Sequence, residues 1–598
     1  MISFGNMRYP IIFTLYSWFL APLLMADPSL FAVKPLVETE VNPVEIHQIQ
    51  DVPGGWFIDF GRAAFGTVVF KVTSPRDDRM ISVHLGEVIL NGQSRIDRAP
   101  GGSRRYRKMD LPLKQGTHCY RVSITPDERN TGPRAIKMPE EIGEVMPFRY
   151  CELEGYPGVL RPSDIRQVCV YYPFDDDAAY FESSNPVLND VWELCKYSIK
   201  ATSFLGVYVD GDRERIPYEG DAYINQLSHY CLDTEYVMAR HTLDYLLDHP
   251  TWPVEWHQHI PLIVWEEYLY TGDFSFLEKH YDRIVAKLLQ PLAREDGLLE
   301  VSEKRMTEEF LRSIGMNERI STLVDWPWGE RDNHEILPVD SVVNAFYYRG
   351  LVLMSRMAMA LGKEDDAERF EQDATRVRNV YQQVFFDEAR GIYRDGEGSE
   401  HSSLHANYFP LAFGLVPEGQ VESVLSFIKS KGMATSVYGA QHLIDGLFQH
   451  GADEYAIVLL ASTSERSWGH MIYDVGTTIT LEAWDNRFKP NQDWNHAWGA
   501  APANLIPRRL MGITPVEPGF SKVRIQPQIG NLDFAKIRHP TQFGPIDLAI
   551  NRQGNNLEYK ISLPEGMSAE VLLEGDAEPR QIPAKEQRQE MVLTSVNP

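Results

Sequence analysis

The sequence predicts a multidomain protein: a central all-α domain, a six-hairpin (α/α)6 barrel, lies between an N-terminal β-sandwich and a small C-terminal β-sandwich. Three observations lead to this fold class. The chain has 598 residues, which is too long for one hydrophobic core. Short β-prone runs separated by Gly and Pro occur towards both ends, and the long middle part carries apolar residues at helical spacing. The predicted segments are a signal peptide (1–26), the N-terminal sandwich (27–175), the barrel (176–510) and the C-terminal sandwich (511–598).

The N-terminus has the pattern of a signal peptide. Arg8 precedes the apolar run YPIIFTLYSWFLAPLLMA, which ends at the small residue Ala26. We therefore expect cleavage near Ala26 and a secreted or periplasmic protein. A membrane anchor is the alternative, because the run has about the minimum length that spans a bilayer, but it contains two prolines as well as Thr14 and Ser17.

Composition and charge limit the classes of partner and cofactor. A hydrophobic content of 43% with 12 Trp indicates a well-packed globular protein. The formal net charge of −26 argues against nucleic acids and anionic membrane surfaces as partners, because phosphate binding needs a basic surface. The five cysteines, at 119, 151, 169, 195 and 231, form no CxxC pair. They predict neither a zinc site nor a disulfide framework, and we expect no metal or other cofactor.

The N-terminal region, residues 27–175, has the pattern of a β-sandwich. The runs GTVVFKV (Gly66–Val72), MISVHLGEV (Met80–Val88) and RYCELEGY (Arg149–Tyr156) are β-prone. Clusters of Gly and Pro at 53–55 and 100–103 separate them. Several short strands with such turns predict a sandwich.

The middle region, from Asn185 to about Arg509, consists of paired helical runs. Pro186 stands at a first helical position, and Gly-containing turns at 271–273 and 361–363 separate consecutive helices, as in αα-hairpins. About twelve helices pair into six hairpins and predict a closed barrel. A bundle or an open solenoid is the alternative; a solenoid would show a repeat of fixed period, and we find none.

The C-terminal region, residues 511–598, returns to β patterns. KVRIQPQIG (Lys522–Gly530), IDLAINRQGNNLEYKISLP (Ile546–Pro564) and SAEVLLEG (Ser568–Gly575) alternate between apolar and polar residues. Asn555–Asn556 is the predicted turn of a hairpin. This pattern predicts a second, smaller sandwich.

Three stretches combine carboxylates with Trp or Tyr in loop-like sequence. They are GDRERIPYEGDAYINQ (Gly211–Gln226), DWPWGERDNHE (Asp325–Glu335) and SWGHMIYDVGTTITLEAWDNRF (Ser467–Phe488). An aromatic face stacks on the CH face of a sugar ring, and neighbouring carboxylates accept hydrogen bonds from its hydroxyl groups. The combination therefore predicts a neutral, hydroxyl-rich ligand.

Two of these stretches resemble the catalytic motifs of the glycoside hydrolase family 78 α-L-rhamnosidases. DRERIPYEGD resembles the acid motif, D-x-x-x-R-x-E-R-x-G-W-x-G-D, and GTTITLEAWD resembles the base motif, G-x-T-T-x-W-E-x-W-D. PVEWHQHIPL (253–262), NHAWGA (495–500) and GITPVEPGFSKVRIQP (512–527) resemble further segments of the family. The resemblance implies inverting hydrolysis that releases a terminal, non-reducing α-L-rhamnose, or a close 6-deoxy relative, from a rhamnose-containing glycan or glycoside.

Within the acid motif, the resemblance gives Glu214 the place of the general acid, seven residues before Asp221. Tyr218 stands where the family usually has Trp. The leading Asp of the motif corresponds to Asp210, with Asp212 as the alternative because the spacing is shorter here. Asp210, Tyr218 and Asp221 are therefore expected to bind the sugar.

Within the base motif, Glu482 takes the place of the general base and is followed two residues later by Trp484. Thr480 and Leu481 stand where a single Trp usually precedes the Glu. Other expected sugar-binding residues are aromatic, acidic or imidazole side chains in or near the unusual stretches: Asp325, Trp328, Trp468, Trp484 and His496.

Each of these residues also has a structural interpretation. Glu214 could belong to a surface salt-bridge cluster and Glu482 could cap a helix. Trp468 could be a core residue, His496 a structural histidine, and the Asp325 segment a Pro-rich turn with a buried Trp.

The chemistry of glycoside cleavage explains the residue types. One protonated carboxyl group must donate to the leaving oxygen, and one ionised carboxylate must activate water on the opposite face. Carboxylates near Glu214 favour its protonated form, whereas Arg213 and Arg215 oppose it unless they point elsewhere.

Two other classes of protein share these sequence features. Another enzyme on the same barrel, such as a polysaccharide lyase or an unsaturated-uronide hydrolase, is one alternative; a lyase needs a Tyr or His that removes the proton next to a neutralised uronic carboxylate. A non-catalytic sugar-binding protein is the other, but it would keep the aromatic residues and lose one of the two glutamates.

Overall fold

The computed structural model describes residues 31–90 and 93–596. The predicted signal peptide, residues 1–26, lies outside the described residues. The chain forms an N-terminal β domain, a central helical domain and a C-terminal β domain. Within the described ranges, no helix is long and apolar enough to cross a membrane.

The N-terminal domain is built on one long, bulged strand. Its strands are β1 (Val37–Val41), β2 (Glu45–Ile49), β3 (Gly55–Ser74), β4 (Arg79–Gly86), β5 (Tyr106–Leu113), β6 (Gly116–Arg121), β7 (Met146–Glu154) and β8 (Ile165–Tyr171). β3 pairs antiparallel with β2, β6, β7 and β8. A bulge between Asp59 and Ala64 shifts its register on β7, which lets the strand bend. The three predicted strand runs fall in β3, β4 and β7.

The helices of the central domain differ in how much of their surface is buried. The domain contains α1 (Pro186–Thr202), α2 (Glu219–Tyr230), α3 (Val237–Asp248), α4 (Val254–His257), α5 (His259–Thr271), α6 (Ser275–Ala286), α7 (Glu308–Ser313), α8 (Ser341–Ala360), α9 (Glu364–Phe385), α10 (His405–Ala412), α11 (Val421–Lys431), α12 (Gly439–Gln449), α13 (Asp453–Leu460), α14 (Trp468–His470) and α15 (Pro502–Leu505). π-helical turns extend α14 to Val475 and α15 to Leu510. Helices such as α2 and α10 are buried on almost every side, whereas α9 buries one apolar face and exposes its charges.

Six of the described helices contact one another in a cycle. α2 packs on α5, α5 on α8, α8 on α10, α10 on α12, α12 on α15, and α15 returns to α2. The partner helices α3, α6, α9, α11 and α13 each contact one or two members of this ring, and α1 contacts α2 and α15. The ring brings α2 and α15 together although almost the whole domain separates them in sequence.

The predicted starts and turns of the helices agree with the structure. α1 begins at Pro186, and the Asn185 side chain accepts a hydrogen bond from Leu188 N–H at 3.2 Å. α5 ends at Thr271, and Gly272 then adopts a φ of 73°, a left-handed conformation that glycine adopts without steric penalty.

The C-terminal domain has two sheets. Its strands are β12 (Ile513–Pro515), β13 (Lys522–Ile525), β14 (Phe534–His539), β15 (Ile546–Gln553), β16 (Asn556–Leu563), β17 (Ser568–Val571), β18 (Arg580–Ile582) and β19 (Gln589–Val596). β9 (Tyr180–Ser183), from before the helices, joins one of its sheets, whereas β10 (Phe386–Asp387) and β11 (Ile392–Tyr393) form a separate pair within the helical domain. One sheet has the order β12-β13-β17-β18 and the other β19-β16-β15-β14-β9. Their inward residues belong to the same buried apolar cluster as the helical domain.

Two details of this domain differ from the sequence prediction. β9, which falls in the segment predicted as barrel, pairs with β14 in the C-terminal sheet. The hairpin turn is Gly554–Asn555 rather than Asn555–Asn556, because Gln553 pairs with Asn556 and Gly554 adopts a φ of 64°. A two-residue hairpin turn needs positive φ, which glycine adopts easily.

Candidate active site

Connections that precede five of the ring helices, α2, α5, α8, α12 and α15, contact one another on one side of the helical domain. The ring of Tyr218, before α2, lies 5.4 Å from that of Trp256, before α5. Asp325, before α8, accepts a hydrogen bond from Thr435, before α12, at 2.9 Å. Trp484, before α15, donates its indole N–H to the Thr435 carbonyl at 2.8 Å. All three sequence stretches that combine carboxylates with aromatic rings contribute to this cluster.

Glu214 is the accessible carboxylate of the site. Its side chain is 36% exposed, although Gly211, Asp212 and Arg215 around it are buried. The Tyr218 hydroxyl donates to its Oε2 at 2.7 Å. Burial, together with the nearby carboxylates, raises the pKa of this hydroxyl, so that Tyr218 keeps the proton it donates.

Glu482 is the buried carboxylate of the site, with 1% of its surface exposed. Arg213 donates to both of its oxygens, at 2.8 and 3.2 Å, and the Asp493 backbone N–H donates to Oε2 at 3.0 Å. The Lys489 ammonium lies 3.2 Å from Oε1. Burial alone would raise the pKa of Glu482, but the positive charges, foremost Arg213, outweigh it and lower the pKa to about 2.

Arg213 joins the two carboxylates that the sequence places far apart. Its guanidinium forms a fork on Glu482, and its Nε lies 3.3 Å from Glu214 Oε1. Arg215, by contrast, turns away from the site and pairs with Asp212 and Glu144. The structure therefore brings Glu214 and Glu482 to one place, and only one of the two flanking arginines acts on them.

Four buried groups beside the two glutamates carry atoms with no hydrogen-bond partner among the described residues. They are Asp210 Oδ2, Asp221 Oδ1, Asp493 Oδ1 and His496 Nδ1. Burial, followed by the neighbouring carboxylates, raises the pKa of Asp210 and of Asp221 well above the ordinary range, and burial lowers the pKa of His496 to about 3. Buried polar atoms are normally paired. Asp221 Oδ1 and His496 Nδ1 lie 3.4 Å apart, so Asp210 Oδ2 and Asp493 Oδ1 retain the clearest capacity for a polar partner.

The structure separates the two candidates for the leading Asp of the acid motif. Asp212 accepts hydrogen bonds from Arg105, Arg215 and Asn130. Asp210 accepts one from Ile216 N–H at 3.0 Å through Oδ1 and leaves Oδ2 unpaired. Asp210, not Asp212, therefore retains capacity for a ligand.

Asp325 is buried and fully hydrogen-bonded. Its Oδ2 accepts from His405 at 2.7 Å, from Thr435 and from Ser436 N–H, and its Oδ1 accepts from Ser436 Oγ and from Trp326 N–H. These contacts join three of the connections and correspond to the structural interpretation of the segment. Trp328, which that interpretation would bury, is instead 59% exposed, and Arg331 lies 3.5 Å from its ring centroid.

Trp468 and Trp484 lie in the core beneath the site. Both are fully buried, their rings meet edge to face at 5.0 Å, and Trp468 donates its indole N–H to the Gly499 carbonyl at 2.7 Å. Trp468 is thus a core residue rather than an exposed wall of a sugar subsite, since both faces of its indole are packed.

Sequence reasoning missed three residues of the site. Asp493 and Lys489 lie in the segment between the base motif and NHAWGA, where an Asp precedes a Trp as it does at Asp325. Trp256 lies in PVEWHQHIPL, which was noted only as a family segment. The same combination of acidic and aromatic residues could have identified Asp493; Lys489 carried no comparable signal.

The described residues contain no group of three or more His, Cys, Asp or Glu side chains that could hold a metal ion. The side chains provide an accessible carboxyl group on Glu214 and a buried, ionised carboxylate on Glu482. Proton donation to a leaving group and proton removal from water need one group of each kind.

Comparison with known proteins identifies the family of this chain. Residues 176–510 match the family described as bacterial alpha-L-rhamnosidase 6 hairpin glycosidase domain, and residues 512–588 match the bacterial alpha-L-rhamnosidase C-terminal domain. A protein named alpha-L-rhamnosidase from Alteromonas sp. (strain LOR) is 24% identical over 468 residues, which cover 71% of this chain and 48% of that protein. Another from Formosa agariphila is 21% identical over 585 residues, which cover 91% and 57%. The chain therefore spans about half the length of the curated relatives it matches.

Solved structures share the fold. An alpha-L-rhamnosidase from Dictyoglumus thermophilum superposes with a TM-score of 0.73 at 20% identity, over 93% of this chain and 63% of that one. The Streptomyces avermitilis alpha-L-rhamnosidase, solved with L-rhamnose, gives 0.73 at 19% identity, over 94% and 54%. Since the first family match alone covers more than half of the residues, the chain belongs to the bacterial α-L-rhamnosidase six-hairpin glycosidase family.

Proposed function

We propose that the chain is an α-L-rhamnosidase that releases terminal α-linked L-rhamnose, or a close 6-deoxy sugar, by inverting hydrolysis. The observation that carries the proposal is the pair of carboxylates joined by Arg213: Glu214 is accessible, and Glu482 is buried and ionised. Family membership and the names of the curated relatives support the same activity.

In this reaction Glu214 is the general acid. Its carboxyl proton passes to the glycosidic oxygen as the bond between that oxygen and the anomeric carbon breaks. Glu482 is the general base and takes a proton from the water whose oxygen attacks the anomeric carbon from the opposite face. Because water and leaving group occupy opposite faces, the configuration inverts.

Glu482 can accept that proton only if one of its oxygens becomes free. Its carboxylate has about four acceptor positions, and Arg213, Lys489 and Asp493 N–H occupy them. Arg213 is the partner that can move, because its side chain is 19% exposed whereas that of Lys489 is 5% exposed. We therefore infer that substrate binding draws Arg213 off Glu482 and admits the water.

Sugar binding is assigned to the groups that retain unpaired atoms. Asp210, Asp221 and His496, together with Asp493, would hydrogen-bond the hydroxyl groups of the sugar. The rings of Tyr218 and Trp256 would contact its CH face. The exposed ring of Trp328 would contact the substrate at the outer edge of the site. Asp325, Trp468 and Trp484 would support these groups from below.

We also propose the barrel closure, the sandwich folds of the two β domains and the export of the protein. The contact cycle of six ring helices supports an (α/α)6 barrel over residues 176–510, with β9 joining the C-terminal domain. The two β domains are proposed as sandwiches. Export of the protein is proposed from the sequence of residues 9–26.

A leaving-group comparison tests the assignment of Glu214. Glu214→Gln should lower kcat about 10²–10⁴-fold on a rhamnosyl disaccharide and much less on p-nitrophenyl α-L-rhamnoside, because nitrophenolate leaves with little protonation. Glu482→Gln should lower kcat on both substrates. Glu303→Gln is the matched control, because this glutamate is 86% exposed and pairs with Arg319 at the surface. Equal, small losses on both substrates for Glu214→Gln would exclude it as the acid.

A further inference from the structure

The loop that carries Glu214 is anchored to the N-terminal β domain. Arg105, immediately before β5, donates through Nε to Asp212 Oδ2 and through Nη2 to the Asp212 carbonyl at 2.6 Å. Asn130 of the same domain donates to that carbonyl at 3.1 Å and to Oδ1 at 3.2 Å. Arg105, Asn130 and Asp212 are all at least 97% buried. The residue two positions before Glu214 is therefore held by the β domain.

The residue that follows Glu214 is held from the same side. Arg215 is 1% exposed and has a φ of 54°, a left-handed conformation that is uncommon for residues other than glycine. Its guanidinium pairs with Glu144 at 2.7 Å and donates to the Val145 carbonyl at 2.8 Å, and its own carbonyl accepts from Ile136 N–H at 2.9 Å. Surrounding contacts of this kind are needed to keep such a backbone conformation.

A third contact ties the loop to both domains. Glu87, just after β4, accepts from Arg105 N–H at 2.7 Å and from the Asn495 side chain at 3.0 Å, and Asn495 in turn accepts from Asp212 N–H at 2.8 Å. Asn495 immediately precedes His496, one of the proposed sugar-binding residues. The loop of Glu214 and the segment after Glu482 thus share one buried network with the β domain.

We propose that Arg105 of the N-terminal β domain is a positioning residue for the general acid, acting through Asp212. Neither Arg105 nor Asp212 reaches the cleft. Asp212 and Arg215, which the β domain holds, lie on either side of Glu214, whose side chain is 36% exposed. Buried charges are not required for two domains to pack, since apolar residues serve that purpose as well. The buried charge of Arg105 has a different role here: its guanidinium donates two hydrogen bonds to Asp212 and so fixes the direction of the loop.

The proposal rests on Glu214 as general acid and predicts a loss that depends on the leaving group. Arg105→Met should lower kcat by about 10- to 100-fold on a rhamnosyl disaccharide, because a misplacement of about 1 Å is sufficient for such a loss. The loss on p-nitrophenyl α-L-rhamnoside should be less than about threefold, and KM should change little on either substrate. Arg105→Lys, which retains the charge without the fork, should fall between wild type and Arg105→Met.

The control is Arg149→Met. Arg149 forms a two-point pair with Asp59 in the same domain, at 2.8 Å for each bond, and does not contact the loop. It should leave the ratio of the two kcat values unchanged. If Arg105→Met does not fold, Asn130→Ala is measured instead, because it removes a single amide from the network. We expect a smaller loss of kcat, which is again larger on the disaccharide than on p-nitrophenyl α-L-rhamnoside.

Equal losses on both substrates, or no loss, for the folded variant would overturn the proposal. Glu214→Gln measured in parallel separates this failure from that of the proposed function. If Glu214→Gln shows the leaving-group dependence and Arg105→Met does not, only the positioning role is wrong. If Glu214→Gln also lacks it, Glu214 is not the acid and both assignments fail.

Discussion

Removal of the Arg213 charge should move the acidic limb of the pH–rate profile to higher pH. In the proposed mechanism Glu482 must be ionised to act as the base. The Arg213 guanidinium is the strongest of the influences that hold its pKa at about 2 against the effect of burial. In Arg213→Met the burial remains and the main opposing charge is lost. The pKa of Glu482 must then rise, and activity is lost at a higher pH as the solution is acidified.

The size of the shift follows from the pKa of Glu482 with Arg213 and without it. With its pKa near 2, Glu482 is ionised over the whole accessible range. Without Arg213 its pKa should return to about 4.3, the ordinary value for glutamate, or above it because of burial. At a pKa of about 4.3, kcat/KM at pH 4 falls about threefold below its own plateau, and it falls about tenfold for each further pH unit.

The assay is kcat/KM for p-nitrophenyl α-L-rhamnoside from about pH 3 to 8, with each variant compared with its own plateau, since kcat/KM reports the free enzyme. Lys489→Met should give a smaller shift in the same direction, because Lys489 contributes less than Arg213. Arg466→Met, which removes a similar pair with Glu330 at 2.8 Å, should give none. An unmoved limb in Arg213→Met, or an equal shift in Arg466→Met, would refute the reasoning.

Two further predictions concern stereochemistry and packing. The first sugar released from an α-L-rhamnoside should be the β-anomer by proton NMR, and a crystal structure should show the Glu214 and Glu482 carboxyl groups about 6.5–9.5 Å apart; initial α-anomer or a gap of about 5 Å would point to a covalent intermediate instead. Trp468→Ala should lower the free energy of unfolding by about 3–5 kcal/mol, since the ring is fully buried, whereas Trp328→Ala, at a ring that is 59% exposed, should change it by about 1 kcal/mol or less and act on KM. If chemical denaturation shows a larger loss of unfolding free energy for Trp328→Ala than for Trp468→Ala, the burial assigned to these two rings is wrong.

Local patterns were sufficient for the helix ends at Pro186 and Gly272 and for seven strands: β3, β4, β7, β13, β15, β16 and β17. Pro186 and Gly272 mark helix ends because their backbone preferences operate within a few residues, whatever the rest of the fold does. Glu214 and Glu482, which Arg213 joins in the structure, were both named from the sequence, because each lies within a short motif that is continuous along the chain. β9 was missed, since four residues are too few for a period to appear and its partner strand lies about 350 residues later.

The direction of each charged side chain was decided only by the tertiary structure. Arg213 and Arg215 are equivalent in the sequence, each next to Glu214, yet one lies on Glu482 and the other on Asp212 and Glu144. Likewise Asp212 remained an alternative to Asp210, and in the structure Arg105 and Asn130, from a different domain, occupy Asp212. Periodicity and turn residues act between near neighbours along the chain, whereas these ion pairs join residues brought together by the closed ring of helices and the docking of the β domain. A sequence can therefore name the chemical groups of this site, and only the packed domains determine which groups are free to act.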